Sequence, residues 1–129
     1  MSALREVRST TAHGKVGQTV SVGRHAFPAD EPETKGGNDT GPAPHELLLS
    51  SLASCIAMTI QSYADRKGLV LRRVEVIVNG HHADGAFVIE KHVDIDGDID
   101  AAQLTRLLEI GDKCPVARTL GNPIRITTV

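Results

Sequence analysis

The segment Pro44 to Lys67 constrains the fold more than any other part of this chain. A proline suits a first helical turn, and Glu46 sits near the positive pole of the helix dipole. Arg66-Lys67-Gly68 closes the segment as a helix C-terminal stop. In between, Leu47-Leu48-Leu49 and Leu52-Ala53-Ser54-Cys55-Ile56-Ala57-Met58-Thr59-Ile60 place apolar residues on most sides of the helix. Leu48, Leu52, Cys55, Thr59 and Ser62 recur at three and four, so Cys55 lies on a largely apolar stripe. A helix of this kind needs cover on most sides and is expected at the centre of the structure. The run from Leu47 to Ile60 is broken by Ser50, Ser51, Ser54 and Thr59, and it falls short of the about 20 apolar residues that cross a bilayer.

Around this helix the other elements follow from periodicity. Glu6 to Thr11 and Gln18 to Val22 read as strands, with the turn glycines in His13-Gly14-Lys15-Val16-Gly17. Ala29 to Ala43 is a long polar connection containing Pro32, Pro42, Gly36, Gly37 and Gly41, the kind of loop that either floats or carries function. Beyond the helix, Val74, Val76 and Val78 share one face of a strand. Phe87, Ile89, Val93, Ile95 and Ile99 share one face of the next, with His92, Asp94 and Asp96 on the other. His81 to Gly85 joins the two as a hairpin. Asp100 is placed to cap a second helix through Leu104, Leu107, Leu108 and Ile110. A short helix follows Pro115, and Pro123 to Val129 reads as a last strand. The order ββ-α-ββ-α-α-β predicts an α+β fold, and 129 residues predict one domain.

Composition narrows the function. Lys and Arg number 14 against 16 Asp and Glu, with no basic stripe, so nucleic acid is not an expected partner. Phe27, Phe87 and Tyr63 are the only aromatics, too few for platforms that stack bases or sugars. The start of the chain shows no apolar signal region, so the expected compartment is the cytoplasm, with no membrane partner. There thiols stay reduced, and a disulfide is more often transient and catalytic than structural. His81, His82 and Asp84 do not make a metal set, because neighbours on a strand face opposite ways and no cysteine lies near.

The chain has two cysteines, Cys55 and Cys114, too far apart for a local clip and suited to being joined by the fold. Cys114 precedes Pro115 at a helix N-terminus, where unsatisfied N–H groups and the dipole are expected to lower a thiol pKa. A thiolate attacks the O–O bond of a hydroperoxide, and a second thiol resolves the sulfenic acid as a disulfide. Desolvation on an apolar helix would silence Cys55 unless a cation opposes it. Arg24 is the best candidate, ahead of Lys15 and Arg8, with Glu46 or His45 holding the guanidinium.

Gly41-Pro42-x-Pro44-x-Glu46-Leu47-Leu48-Leu49-x-Ser51-Leu52-Ala53-Ser54-Cys55, then Met58-Thr59 and Ala64-x-Arg66-Lys67-Gly68, resembles the OsmC/Ohr family of osmotically inducible and organic hydroperoxide resistance proteins. Leu104-x-Arg106-Leu107-Leu108-x-Ile110-Gly111-x-Lys113-Cys114-Pro115-Val116 resembles its second-cysteine motif. The resemblance implies an OsmC-like fold, with two central helices packed against β-sheets in an intertwined homodimer. It implies a peroxidase for organic hydroperoxides that needs no metal or other cofactor. Cys55 would be the peroxidatic and Cys114 the resolving thiol, with an external dithiol, often lipoyl-linked in the family, as reductant. In the best-characterised members an acid follows the helix-opening proline; here His45 holds that place and Glu46 comes one residue later, about 100° round the helix. The alternative to an enzyme is a dimer of the same fold that senses redox state or binds a small apolar ligand.

Overall fold

The computed structural model describes residues 3–129. Its contacts divide into two units, one up to Leu48 and one from Leu49 to Val129.

In the first unit, β1 (Val7–Thr11), β2 (Gln18–Val22) and β3 (His25–Ala29) form an antiparallel sheet in the order β1-β2-β3. The first two match the periodicity, with β1 starting one residue later than expected. β3 was not foreseen. It contains Pro28, opposite Thr19, and proline is tolerated in a strand only at an edge, which is where β3 lies. Lacking an N–H, Pro28 costs the sheet nothing on its open side.

The polar connection after β3 is ordered by one carboxylate. Asp30, only 3% exposed, accepts hydrogen bonds from the N–H of Glu31 (2.8 Å), Asn38 (3.3 Å) and Thr40 (3.1 Å) and from Thr40 Oγ1 (2.7 Å). These bonds, led by the Thr40 hydroxyl, hold its carboxyl below the usual range. A single 3-10 turn, Glu33–Lys35, sits inside the loop. Gly37 is required here by space: a Cβ would stand 1.9 Å from the Glu31 carbonyl oxygen.

Helix α1 runs Pro44–Arg66. Its end is a Schellman motif: Leu69 N–H reaches the Ala64 carbonyl (2.9 Å), Gly68 N–H reaches that of Asp65 (3.2 Å), and Gly68 takes φ 70°. The whole helix is long and apolar enough for a membrane span by length and composition, which the shorter run of apolar residues taken alone is not. Leu52, Ile56, Ile60 and Ala64 are nevertheless buried in protein, as in a core helix. Its opposite side is more open than expected from the sequence, with Met58 66% exposed.

In the second unit, β4 (Val70–Ala83) and β5 (Ala86–Asp98) form a long antiparallel hairpin. β4 extends past Val78 to Ala83, and the turn shrinks to Asp84-Gly85, whose φ values of 51° and 76° define the two-residue turn that matches strand twist. Leu71 faces Gly97 and Arg73 faces Asp96, so Arg72 is an extra, bulged residue. The bulge exposes both arginines on one surface. Arg72 bonds Asp96 (3.1 Å) and Asp98 (2.6 Å), and Arg73 bonds Asp94. The other face of the hairpin, with Val74, Val76, Val78, Ile89, Val93 and Ile95, packs on α1 and on α2 (Ala101–Asp112). Asp100 closes the start of α2 as expected, in a reciprocal capping box with Gln103. Ile60 and Leu107 are fully buried, each contributing about 1.5–3 kcal/mol by removal from water. Gly111 lets α2 lie close to α1: a Cβ there would be 3.0 Å from Ile60 Cδ1 and 3.3 Å from Ile56 Cγ2.

Helix α3 spans Pro115–Leu120. The strand expected over Pro123 to Val129 is not formed. A strand is completed by its neighbour's hydrogen bonds, and among the described residues nothing pairs with this segment, which leaves Ile124 and Ile126 exposed.

Candidate functional site

The fold brings the two cysteines together. Cys55 is partly buried on the flank of the α1 stripe, and Cys114 is 0% exposed in the same core. Both are free thiols, and the Cys114 side chain lies beside that of Cys55, near enough for each to act on the other's ionisation.

Local structure explains how Cys114 arrives there. α2 ends at Asp112, and the Cys114 N–H donates to the Gly111 carbonyl oxygen at 3.2 Å. Cys114 then adopts extended backbone, φ −62° and ψ 150°, as the N-cap of α3, with Pro115 as the first helical residue. Its sulfur accepts the Ala117 N–H at 3.4 Å. Lys91 of β5 pairs with Asp112, which ties the turn before Cys114 to the hairpin.

The electrostatic expectation for Cys114 is corrected. The N–H groups of Ala117 and Val116 do pull its pKa down, as a helix N-terminus should. Burial is the larger influence and pushes the thiol up, and the neighbouring Cys55 raises it further. Cys114 is therefore held protonated, because stripping its sulfur of water outweighs the donors that its cap supplies.

The remaining residues singled out from sequence belong to the first unit. Arg24 is exposed in the turn between β2 and β3. His45 is exposed in the first turn of α1. Glu46 Oε1 accepts the Ala43 N–H at 2.8 Å, an N-terminal cap of α1. Sequence reasoning missed Asp30, which organises the loop between β3 and α1. Its signal was an acid beside a Gly-rich polar stretch, where a buried carboxylate is the natural acceptor for loop N–H groups.

The arrangement is two free thiols brought together, one on α1 and one at the cap of α3. The family model for OsmC-like proteins matches residues 36–129. The chain belongs to the OsmC family. Among solved structures it is similar to an OsmC-like protein from Mycoplasma pneumoniae, with 21% identity over 95% of this chain and 90% of that one, TM-score 0.79. It is also similar to an organic hydroperoxide resistance protein OsmC from Legionella pneumophila (18% identity, 92% and 91% covered, TM-score 0.65). A third is the organic hydroperoxide resistance protein OhrB of Bacillus subtilis (18%, 91% and 90% covered, TM-score 0.61). No curated protein matches the chain. At these identities the structures establish the OsmC fold, α+β with antiparallel sheets and helices, as the motifs around both cysteines implied.

Proposed function

We propose that this OsmC protein is a cysteine-dependent peroxidase that reduces organic hydroperoxides. The observation that carries the reading is that Cys55 and Cys114, both free thiols, come together in one apolar core. The Cys55 thiolate attacks the terminal peroxide oxygen. The O–O bond breaks, the alkoxide leaves and takes a proton as the alcohol, and Cys55 becomes a sulfenic acid. Cys114 then displaces water from that sulfur, giving the disulfide. An external dithiol supplies two electrons and two protons and returns both cysteines to thiols. The roles divide by environment. Cys55 is the partly open sulfur, whereas Cys114 is buried and held protonated, which suits a thiol that reacts second. The surroundings of Leu52, Ile56 and Val116 favour a peroxide with an organic group over hydrogen peroxide.

The proposal takes the protein to act as a cytoplasmic homodimer, with Arg24 as the cation favouring the Cys55 thiolate and Glu46 or His45 as its support. The test is turnover of cumene hydroperoxide, tert-butyl hydroperoxide and hydrogen peroxide with a dithiol reductant. Cys55→Ser should abolish consumption, and Cys114→Ser should leave a sulfenic acid that a dimedone probe captures. Full activity in Cys55→Ser would sink the mechanism. Arg24→Ala should raise the pH at which Cys55 is alkylated, and an unchanged profile would remove Arg24 from it.

A further inference from the structure

A cavity lies away from the thiols. It is about 350 Å³, at the small end of ligand sites, and is lined by Tyr63, Lys67, Leu69, Gln103 and Arg106. Tyr63 is eight residues after Cys55 on α1, about 12 Å along the axis. Two cations border the Tyr63 ring: Lys67 Nζ and Arg106 Cζ each lie 5.7 Å from its centroid. Arg106 is held in place from two sides. Its Nε donates to the Tyr63 hydroxyl (3.4 Å), and its Nη1 meets Glu109 Oε2 (3.3 Å). Lys67 has no carboxylate partner among the described residues, and none of the lining residues is acidic. Gln103 Oε1 is engaged by the Asp100 N–H of the capping box, which aligns the rest of its amide. Leu69 and the Tyr63 ring supply an apolar wall.

Two cations, an amide and an apolar wall around a small volume select an anion with a short hydrocarbon body. A guanidinium whose plane is fixed by neighbours presents its donors to a carboxylate at little entropic cost. We propose that this cleft binds a small organic carboxylate, with the carboxylate on Arg106 and Lys67 and the alkyl part against Leu69 and Tyr63. The site does not depend on the peroxidase reading, since neither cysteine takes part.

Tyr63 is the only tyrosine and the chain has no tryptophan, so intrinsic fluorescence reports on this cleft alone. The full-length reduced protein is titrated with hexanoate, with hexanol as a neutral analogue and acetate as a charged one without the alkyl body. A saturable change with hexanoate is expected, with hexanol and acetate weaker by on the order of tenfold, the value of one charge-assisted contact or its apolar equivalent. Arg106→Gln and Lys67→Met should each weaken hexanoate by a similar factor, read as Kd and not as signal amplitude. Amide shifts of Leu69 and Gln103 on hexanoate addition provide a second readout, and circular dichroism confirms that both variants fold. Cys55→Ser protein should bind hexanoate as the wild type does, which separates this result from any failure of peroxidase activity. No saturable response, equal binding of hexanol or acetate, or unaltered affinity in both variants would overturn the proposal.

Discussion

Gly111→Ala puts two physical effects against each other, and the structure decides between them. In an exposed helix interior, replacing glycine by alanine would stabilise by about 1 kcal/mol, since glycine orders more backbone freedom. Gly111 is not exposed. The new methyl would lie 3.0 and 3.2 Å from Ile60 Cδ1 and Cγ1 and 3.3 Å from Ile56 Cγ2. Both isoleucines are essentially fully buried, so neither can swing into solvent to make room. Overpacking of this kind costs about 1–3 kcal/mol, which leaves a net loss of about 0–2 kcal/mol for alanine. Gly111→Val adds two more methyls at the same contact and should lose more. Urea unfolding at a fixed protein concentration measures the series, with an unchanged denaturant slope as the check that only stability has moved. A second effect follows from the chain path. Cys114 hangs from the Gly111 carbonyl, so moving α2 outward displaces its sulfur from Cys55. Disulfide formation after one equivalent of peroxide should slow in the same order, glycine fastest and valine slowest. Stabilisation of Gly111→Ala by about 1 kcal/mol, as propensity alone would give, would refute the close-packing argument.

Ile60→Ala removes a fully buried side chain from the α1–α2 contact and should cost about 2–5 kcal/mol in the same unfolding experiment, with a loss under 1 kcal/mol indicating that the core is not formed as described. Asp30→Asn should make the connection from Asp30 to Ala43 sensitive to limited proteolysis at neutral pH, because the acceptor for Thr40 and the Asn38 N–H is weakened. The wild type should show the same sensitivity only in acid: the Asp30 pKa is lowered in the folded state, so its stabilisation is complete above the ordinary carboxylate pKa of about 3.9 and is lost as pH falls through the lower folded value. The sign reverses for Cys114. Its pKa is raised on folding, so the reduced protein should begin to lose stability as pH rises past the ordinary thiol value of about 8.5, and Cys114→Ala should flatten that alkaline decline.

Much of the fold was legible because its signals are local. Pro44, the apolar stripe and Gly68 delimit α1 within a single residue of its observed end, and Asp100 with Gln103 announces α2. The odd-numbered residues of β5 point inward as alternation requires. β3 was hidden because Pro28 signals against a strand unless the strand is known to lie at an edge, a fact of sheet order and not of local sequence. The segment after Pro123 has the residue types of a strand but no partner among the described residues, and residue type does not supply hydrogen bonds.

The site divides along the same line. Cys114-Pro115 is a local motif, and it placed the sulfur correctly at the cap of α3. The direction of its pKa is not local. The cap donors belong to the next three residues, but the burial that overrides them comes from α1 and α2 closing over the sulfur, and that closure depends on Gly111 meeting Ile56 and Ile60. A helix N-terminus lowers a thiol pKa only while the sulfur keeps enough water or charge around it for the dipole to dominate. Here the packing that gives Cys114 its partner also keeps its proton on, so the chain separates a partly open sulfur from a buried one using two copies of the same residue. The Tyr63–Arg106 cleft was illegible for a related reason: its residues come from the end of one helix and the middle of another, each unremarkable in its own stretch of sequence, and only the packing of α1 on α2 sets two cations around one ring.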